Sequence, residues 1–87
     1  MNRNTKYRPN ANALRVRQFR VRTDVSVSAL GRKTGKTRNW IANRECGLLL
    51  MKDGDAKILI AAIAEITSER VRTLSALVEG MRDGKSI

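Results

Sequence analysis

The chain of 87 residues contains no histidine and a single cysteine, Cys46. A histidine general base, a histidine zinc ligand, a Cys-His pair and an internal disulfide are therefore all excluded. A chain this short also has room for little more than one small core. We expect no enzyme, no metal site and no cofactor, and the lone thiol favours a reducing, cytoplasmic environment.

Long apolar runs are missing as well. The longest, from Ile58 to Ala64, is far shorter than the roughly 20 residues of a membrane-spanning helix. The stretch from Met1 to Lys6 lacks the apolar segment of a signal peptide. These features predict a soluble protein without a membrane partner.

Acidic residues are nearly absent from the first half. Twelve basic residues and one acid, Asp24, lie between Met1 and Arg44, whereas the remainder carries six basic and seven acidic residues. Such an asymmetry is typical of a protein that binds a polyanion, because each neutralised phosphate releases counterions. An anionic membrane surface would attract the same charge. With only three aromatic residues to stack on bases, duplex DNA is favoured over single strands.

The polar residues 1–12, which contain the only proline, predict a flexible basic arm. Three helices follow, each preceded by a side chain that can accept a hydrogen bond from the first turn. Their predicted caps are Asn12, Ser26 and Thr37. Gly35 provides the turn between the second and third helices, and Gly47 ends the third.

Two further helices are predicted in the second half. The fourth runs from Ala56 to Ile66 and is apolar nearly all round, as a central core helix should be. Thr67 or Ser68 then caps a fifth, whose apolar residues Val71, Leu74, Val78 and Met81 repeat at spacings of three and four. The predicted fold class is therefore all-α with five helices, divided into 13–66 and a C-terminal helix within 67–87.

The segment from Gly31 to Thr37 superficially matches a phosphate-binding P-loop. Three residues separate its first glycine from its Gly-Lys-Thr, whereas a P-loop has four. The chain is also too short for the parallel sheet that such a site requires. Two helices around a turn explain the segment better. Leu30 and Ile41 then point to the core, and Gly31 lets the helices cross closely.

At these residues the sequence resembles the Cro and cI repressor type of helix-turn-helix, the XRE family. The resemblance spans about 13–66 and is carried by Phe19-Arg20, Val25-Ser26, Leu30-Gly31, Gly35, Thr37-Arg38, Ile41 and Glu45-Cys46-Gly47. Four positions depart from the family pattern: Val27, Gly31, Thr34 and Arg44. The resemblance implies a five-helix, Cro-like domain whose third helix enters the major groove of DNA.

The resemblance also implies roles for individual residues. The base-reading set is Arg38, Asn39 and Asn43, since Arg reads guanine and Asn reads adenine. Candidates for phosphate contacts are Ser28, Lys36, Thr37, Arg44 and Lys52, and the arm offers Arg3 and Arg8 to the minor groove. Arg20 and Glu45 match an internal ion pair of the family. Trp40 either packs on the core or donates its indole N–H to a phosphate.

The apolar residues of the predicted fifth helix leave two interpretations open. They close the core, or they pair with a second subunit, helped by the run from Leu48 to Met51. The candidate dimer contacts are Leu49, Leu50, Leu74, Val78 and Met81. A homodimer would read an inverted-repeat operator in double-stranded DNA. The sequence therefore predicts a transcriptional regulator of phage or mobile-element type, acting most simply as a repressor.

Two other classes fit the same sequence. An architectural or recombination accessory factor would bend DNA with little base reading, and its affinity would be independent of sequence. An antitoxin or antiactivator would act mainly on a protein partner through its exposed apolar residues.

Overall fold

The computed structural model describes residues 8–84. It contains four α-helices, which are Ala11–Arg22 (α1), Val27–Thr34 (α2), Arg38–Glu45 (α3) and Asp53–Arg82 (α4). The predicted all-α class is therefore confirmed, and the predicted number of five helices is wrong. Arg3 lies outside the described residues.

The fourth and fifth predicted helices are one continuous helix of 30 residues. Thr67, a predicted cap between them, donates its hydroxyl to the carbonyl oxygen of Ile63 at 2.8 Å. A threonine that bonds back to the preceding turn leaves the backbone ladder intact, so the helix continues through it. The start is also earlier than predicted, because α4 begins at Asp53 rather than Ala56.

The start of α1 is two residues earlier than predicted. Asn10, and not Asn12, is the N-cap, and its side chain accepts a hydrogen bond from the backbone N–H of Ala13 at 2.9 Å. Asn12 lies inside the first turn and donates to the carbonyl of Met51 and to the carboxylate of Asp53. Residues 8–12, predicted to belong to the arm, therefore include the N-cap and the first two residues of α1.

The caps of α2 and α3 are those predicted. Ser26 Oγ accepts from the N–H of Ala29, and Thr37 Oγ1 accepts from the N–H of Trp40, both at 3.0 Å. The turn between the helices passes through Gly35, whose φ of 78° favours glycine. These hydrogen bonds fix the ends of α2 and α3 on either side of a tight turn.

One apolar core joins all four helices. Its fully buried members include Leu30 of α2, Ile41 of α3 and Leu59 of α4, and α1 contributes Ala13 and Val16. The core is completed by Val25, Met51, Ala56, Ala62 and Ile63. One face of helix α3 therefore packs against the core, and the opposite face is exposed to solvent.

Polar contacts hold α4 against the other helices as far as Arg70. The ammonium of Lys33 lies 3.3 Å from carboxylate oxygens of both Glu65 and Glu69, and the hydrogen bonds to these groups raise the pKa of Lys33. Arg70 donates to the carbonyl oxygens of Thr23 and Asp24 in the α1–α2 turn, at 2.6 and 3.0 Å. Beyond Arg70, every residue of α4 except Gly80 is exposed.

None of the helices within residues 8–84 combines the length and apolar character needed to cross a lipid bilayer.

Candidate nucleic-acid interface

A shallow basic depression lies where α2, the turn and α3 meet. It is lined by Ser28, Gly31, Arg32, Gly35, Lys36, Thr37 and Arg38. Four of the residues predicted from the sequence, namely Ser28, Lys36, Thr37 and Arg38, are thus brought together on one surface. Three positive side chains and a serine and a threonine hydroxyl border this surface, which suits an anion such as a phosphate.

Arg32 is the member of this surface that sequence reasoning missed. It is exposed and lies one helical turn after Ser28 on α2, on the same border of the depression. The i to i+4 spacing from Ser28 is a signal that could have found it.

A second depression adjoins the first along the start of α3. Its lining comprises Val27, Thr37, Arg38, Asn39 and Ala42. Arg38 and Asn39 are both exposed here, beside the N-terminus of the helix. Asn43, the third predicted base-reading residue, lies one turn further along and is half-buried. The structure therefore groups two of the three predicted residues and places the third at the far end of the same helix.

Glu45, the last residue of α3, forms an ion pair with Arg20 of α1. Glu45 accepts from Arg20 Nε at 2.7 Å and from a terminal guanidinium nitrogen at 2.8 Å, so the pair is bidentate. A further N–H of Arg20 reaches the carbonyl of Val25 at 3.2 Å. The hydrogen bond to Glu45 raises the pKa of Arg20, which holds the guanidinium charged. The ion pair implied by the family resemblance is present, and it ties α1 to the end of α3.

Trp40 packs against the core and has two basic side chains over its ring. The ammonium of Lys36 is 4.6 Å from the ring centroid and the guanidinium of Arg44 is 3.9 Å from it. Stacking of this kind restricts long basic side chains. The ring of Trp40 therefore holds the Lys36 side chain beside the basic depression.

Arg44 makes several contacts within the protein, and its role as a phosphate contact stays a prediction. Besides stacking on Trp40, it donates to the carbonyl of Trp40 at 3.1 Å, and its Nε lies 3.8 Å from a carboxylate oxygen of Asp55. Its side chain is only 19% exposed. Its long aliphatic stem and planar head therefore pack largely within the protein.

Two other predicted contacts lie apart from these depressions. Lys52 is exposed before the first turn of α4, beside the carboxylates of Asp53 and Asp55, which weakens its attraction for a phosphate. Arg8 is exposed, and its backbone passes close to Gly47 after α3.

The predicted dimer contacts fall into two separate groups. Leu49 and Leu50 are exposed in the segment between α3 and α4, whereas Met51 at its end is buried. Leu74, Val78 and Met81 are exposed on the second half of α4. The two groups belong to segments more than twenty residues apart in sequence.

Comparison of the chain with protein-family models, with curated proteins and with solved structures finds no match.

Proposed function

We propose that this protein is a helix-turn-helix DNA-binding protein that recognises a specific duplex sequence and regulates transcription from it. The observation that carries the proposal is the basic surface made by α2, the turn and the start of α3. There, Arg38 and Asn39 are exposed on α3, whose other face packs against the core.

The side chains on this surface divide by chemistry into two sets. Arg38 and Asn39 can each form paired hydrogen bonds with the edge of a base, in the pattern by which Arg selects guanine and Asn selects adenine. Arg32, Lys36 and Thr37 form the border and suit phosphate oxygens, which fix the position of the protein on the duplex. The first set supplies sequence preference and the second supplies affinity.

The electrostatics of the surface support a polyanionic ligand. From Arg8 to Arg44, Asp24 is the only acid among the described residues, and it lies in the α1–α2 turn. Glu45 is compensated by Arg20. The basic side chains therefore act on a phosphate backbone with little opposing charge.

The experiment that tests the proposal is selection of random duplex DNA by the purified protein at near-physiological salt, followed by sequencing of the retained fraction. We expect a defined motif. Retention without any motif would contradict sequence recognition and would support an architectural role, in which affinity depends on salt but not on sequence. Absence of retention would favour a protein partner.

A graded loss of binding is expected from substitutions on the surface. Arg38→Ala and Asn39→Ala should each cost about 1–3 kcal/mol on the selected motif and relax preference at particular base pairs. Lys36→Ala should weaken binding to all sequences alike and flatten the dependence of log affinity on log salt by about one unit. Fluorescence anisotropy with specific and scrambled duplexes measures both effects.

Arg17→Ala is the matched control for Arg38→Ala. It removes the same charge from the outer face of α1, where Arg17 lies beside Leu14 and Val21. It should therefore leave base preference unchanged. Equal losses on every duplex for Arg38→Ala and Lys36→Ala would remove Arg38 from the base-reading set.

A further inference from the structure

The outer face of α1 carries an apolar pair between arginines. Leu14 and Val21 are 53% and 61% exposed and lie two turns apart on the same side of the helix. Together with Arg17, Gln18 and Arg22 they line an open groove of about 680 Å³. The groove shares no residue with the two depressions beside α3, so it is a separate surface of the molecule.

The opposite side of α1 is already used within the fold. Ala13 and Val16 are buried in the core, and Arg20 is paired with Glu45. These residues of α1 follow one another at spacings of three and four, which places them on one face of the helix. The apolar pair falls on the other face and remains largely in contact with solvent.

The groove is surrounded by charge of one sign. Helix α1 contains four arginines and no acid, and the acid nearest in sequence, Asp24, follows the helix and does not line the groove. Arg15, Arg17 and Arg22 are exposed, and none of the ion pairs among residues 8–84 includes them. Their guanidinium groups are therefore available to carboxylates, each of which they can bind through two parallel hydrogen bonds.

The combination of apolar and positive groups disfavours three other ligands. A second copy of the chain would bring the same arginines against each other, and like charges oppose that contact. A phosphate backbone would satisfy the arginines but would leave Leu14 and Val21 without an apolar contact. Helices that bind a membrane surface have a broader apolar face than two aliphatic side chains provide.

We propose that the outer face of α1 binds an acidic amphipathic helix of a partner protein. A helix laid along the groove can place apolar side chains on Leu14 and Val21, which are about 10 Å apart along the axis of α1. Carboxylates on the two flanks of its apolar stripe then pair with Arg17 and Arg22, which border the groove on opposite sides. Gln18, between the two apolar residues, can hydrogen-bond to the same helix through its amide.

Titration of the isotope-labelled full chain with a synthetic peptide, followed by NMR, tests the proposal. The peptide is a helix of about 14 residues with leucines at spacings of three and four on one face and glutamates on both flanks of that face. We expect the shifts of backbone amides to concentrate at residues 14–22. A peptide of the same composition whose leucines do not share a face should bind at least about tenfold more weakly, because it keeps the charge and loses the apolar contact.

Two variants of the groove have matched controls elsewhere on the surface. Leu14→Gln and Arg17→Glu should each weaken peptide binding at least about fivefold. Leu50→Gln makes the first change at a leucine that is 65% exposed between α3 and α4, and Arg72→Glu makes the second at an exposed position of α4. Both controls should bind the peptide as the unchanged chain does, apart from the small effect of net charge.

Reversal of the charge on both partners gives a readout that a merely structural effect would not produce. Arg17→Glu should bind a version of the peptide with lysine in place of glutamate more tightly than the unchanged chain does. Cooperative thermal unfolding, followed through Trp40 fluorescence, checks that each variant is folded. The substituted side chains are exposed, so this transition should be retained.

Three results would overturn the proposal. One is the absence of amide shifts at near-millimolar peptide. Another is an equal loss in Arg17→Glu and Arg72→Glu, which would reduce the interaction to attraction by net charge. The third is sedimentation of the chain with phosphatidylglycerol vesicles that depends on Leu14, without binding of the peptide, which would assign this face to a lipid surface.

The partner site does not rest on the proposed function, and its test uses no DNA. The groove and the basic surface at α3 have no lining residue in common. A duplex on α3 and an acidic helix on α1 should therefore bind at the same time, and saturating peptide should leave the base preference of the protein unchanged. Such a site would allow a protein held on DNA to recruit, or be controlled by, an acidic partner.

Discussion

Replacing Glu45 with leucine is expected to destabilise the fold by about 3–5 kcal/mol, because it leaves a guanidinium with little access to water and without its counter-ion. The side chains of Arg20 and Glu45 are only 16% and 8% exposed. After the substitution, Arg20 keeps one hydrogen bond, to the carbonyl of Val25. For a domain of this size, a loss on that scale is a large part of the total stability. Chemical denaturation followed by Trp40 fluorescence measures it.

A double substitution separates the cost of breaking the pair from the contribution of the pair itself. Arg20→Met with Glu45→Leu removes both charges and fills their places with apolar atoms, which is often neutral or stabilising at a buried site. We therefore expect the double variant to be more stable than Glu45→Leu alone. Destabilisation that simply adds over the two single variants would contradict a direct interaction between the two side chains.

The exposed ion pairs of Lys33 provide the comparison. Lys33→Met removes its contacts with Glu65 and Glu69, whose side chains are 68% and 54% exposed. Water screens such pairs and holding the side chains in place costs entropy. This variant should therefore unfold at nearly the same denaturant concentration as the unchanged protein.

Local sequence signals predict the N-caps of α2 and α3 correctly, because each capping residue has a single strongly favoured role. Ser26 and Thr37 precede short helices separated by Gly35, and their hydroxyls accept from the first turns as predicted. Thr67 has the same hydroxyl chemistry but bonds back to Ile63. Whether a threonine begins a helix or sits within one depends on the backbone that precedes it, which the residue alone does not specify.

Tertiary contacts explain the other differences. Two asparagines lie within one turn at the start of α1, and either could cap it. Asn12 is instead directed to Met51 and Asp53, which are about forty residues away in sequence and adjacent only in the fold. The stacking of Arg44 on Trp40 and its approach to Asp55 likewise depend on the packed structure and have no local sequence signal.

The α2–α3 turn lies unusually close to α2. Thr34 donates to the carbonyl of Leu30 and accepts from the N–H of Lys36 at 3.3 Å. A Cβ added at Gly31 would lie 2.7 Å from the carbonyl oxygen of Lys36. The turn therefore folds back more closely onto α2 than an alanine would allow.

Gly31→Ala is accordingly expected to cost about 1–3 kcal/mol of stability, since the extra methyl group must displace backbone rather than a flexible side chain. The displaced atoms belong to Lys36, and Thr37 and Arg38 follow directly. Affinity for the selected duplex should therefore fall as well. Denaturation and anisotropy measurements on the same variant give both values.

Gly54→Ala separates the contact from the general effect of replacing glycine in a helix. Gly54 lies in the first turn of α4, and a Cβ there meets nothing within 4 Å. Alanine is favoured over glycine by about 1 kcal/mol in helices, so this variant should be at least as stable as the unchanged chain and bind DNA equally well. Alanine is favoured over glycine at both helical positions, so a loss of stability in Gly31→Ala alone reports the crowding at the turn. If Gly31→Ala were also stabilising and neutral for binding, the turn would have to relax without moving Lys36 or the start of α3, and the close approach would have no part in positioning the basic surface.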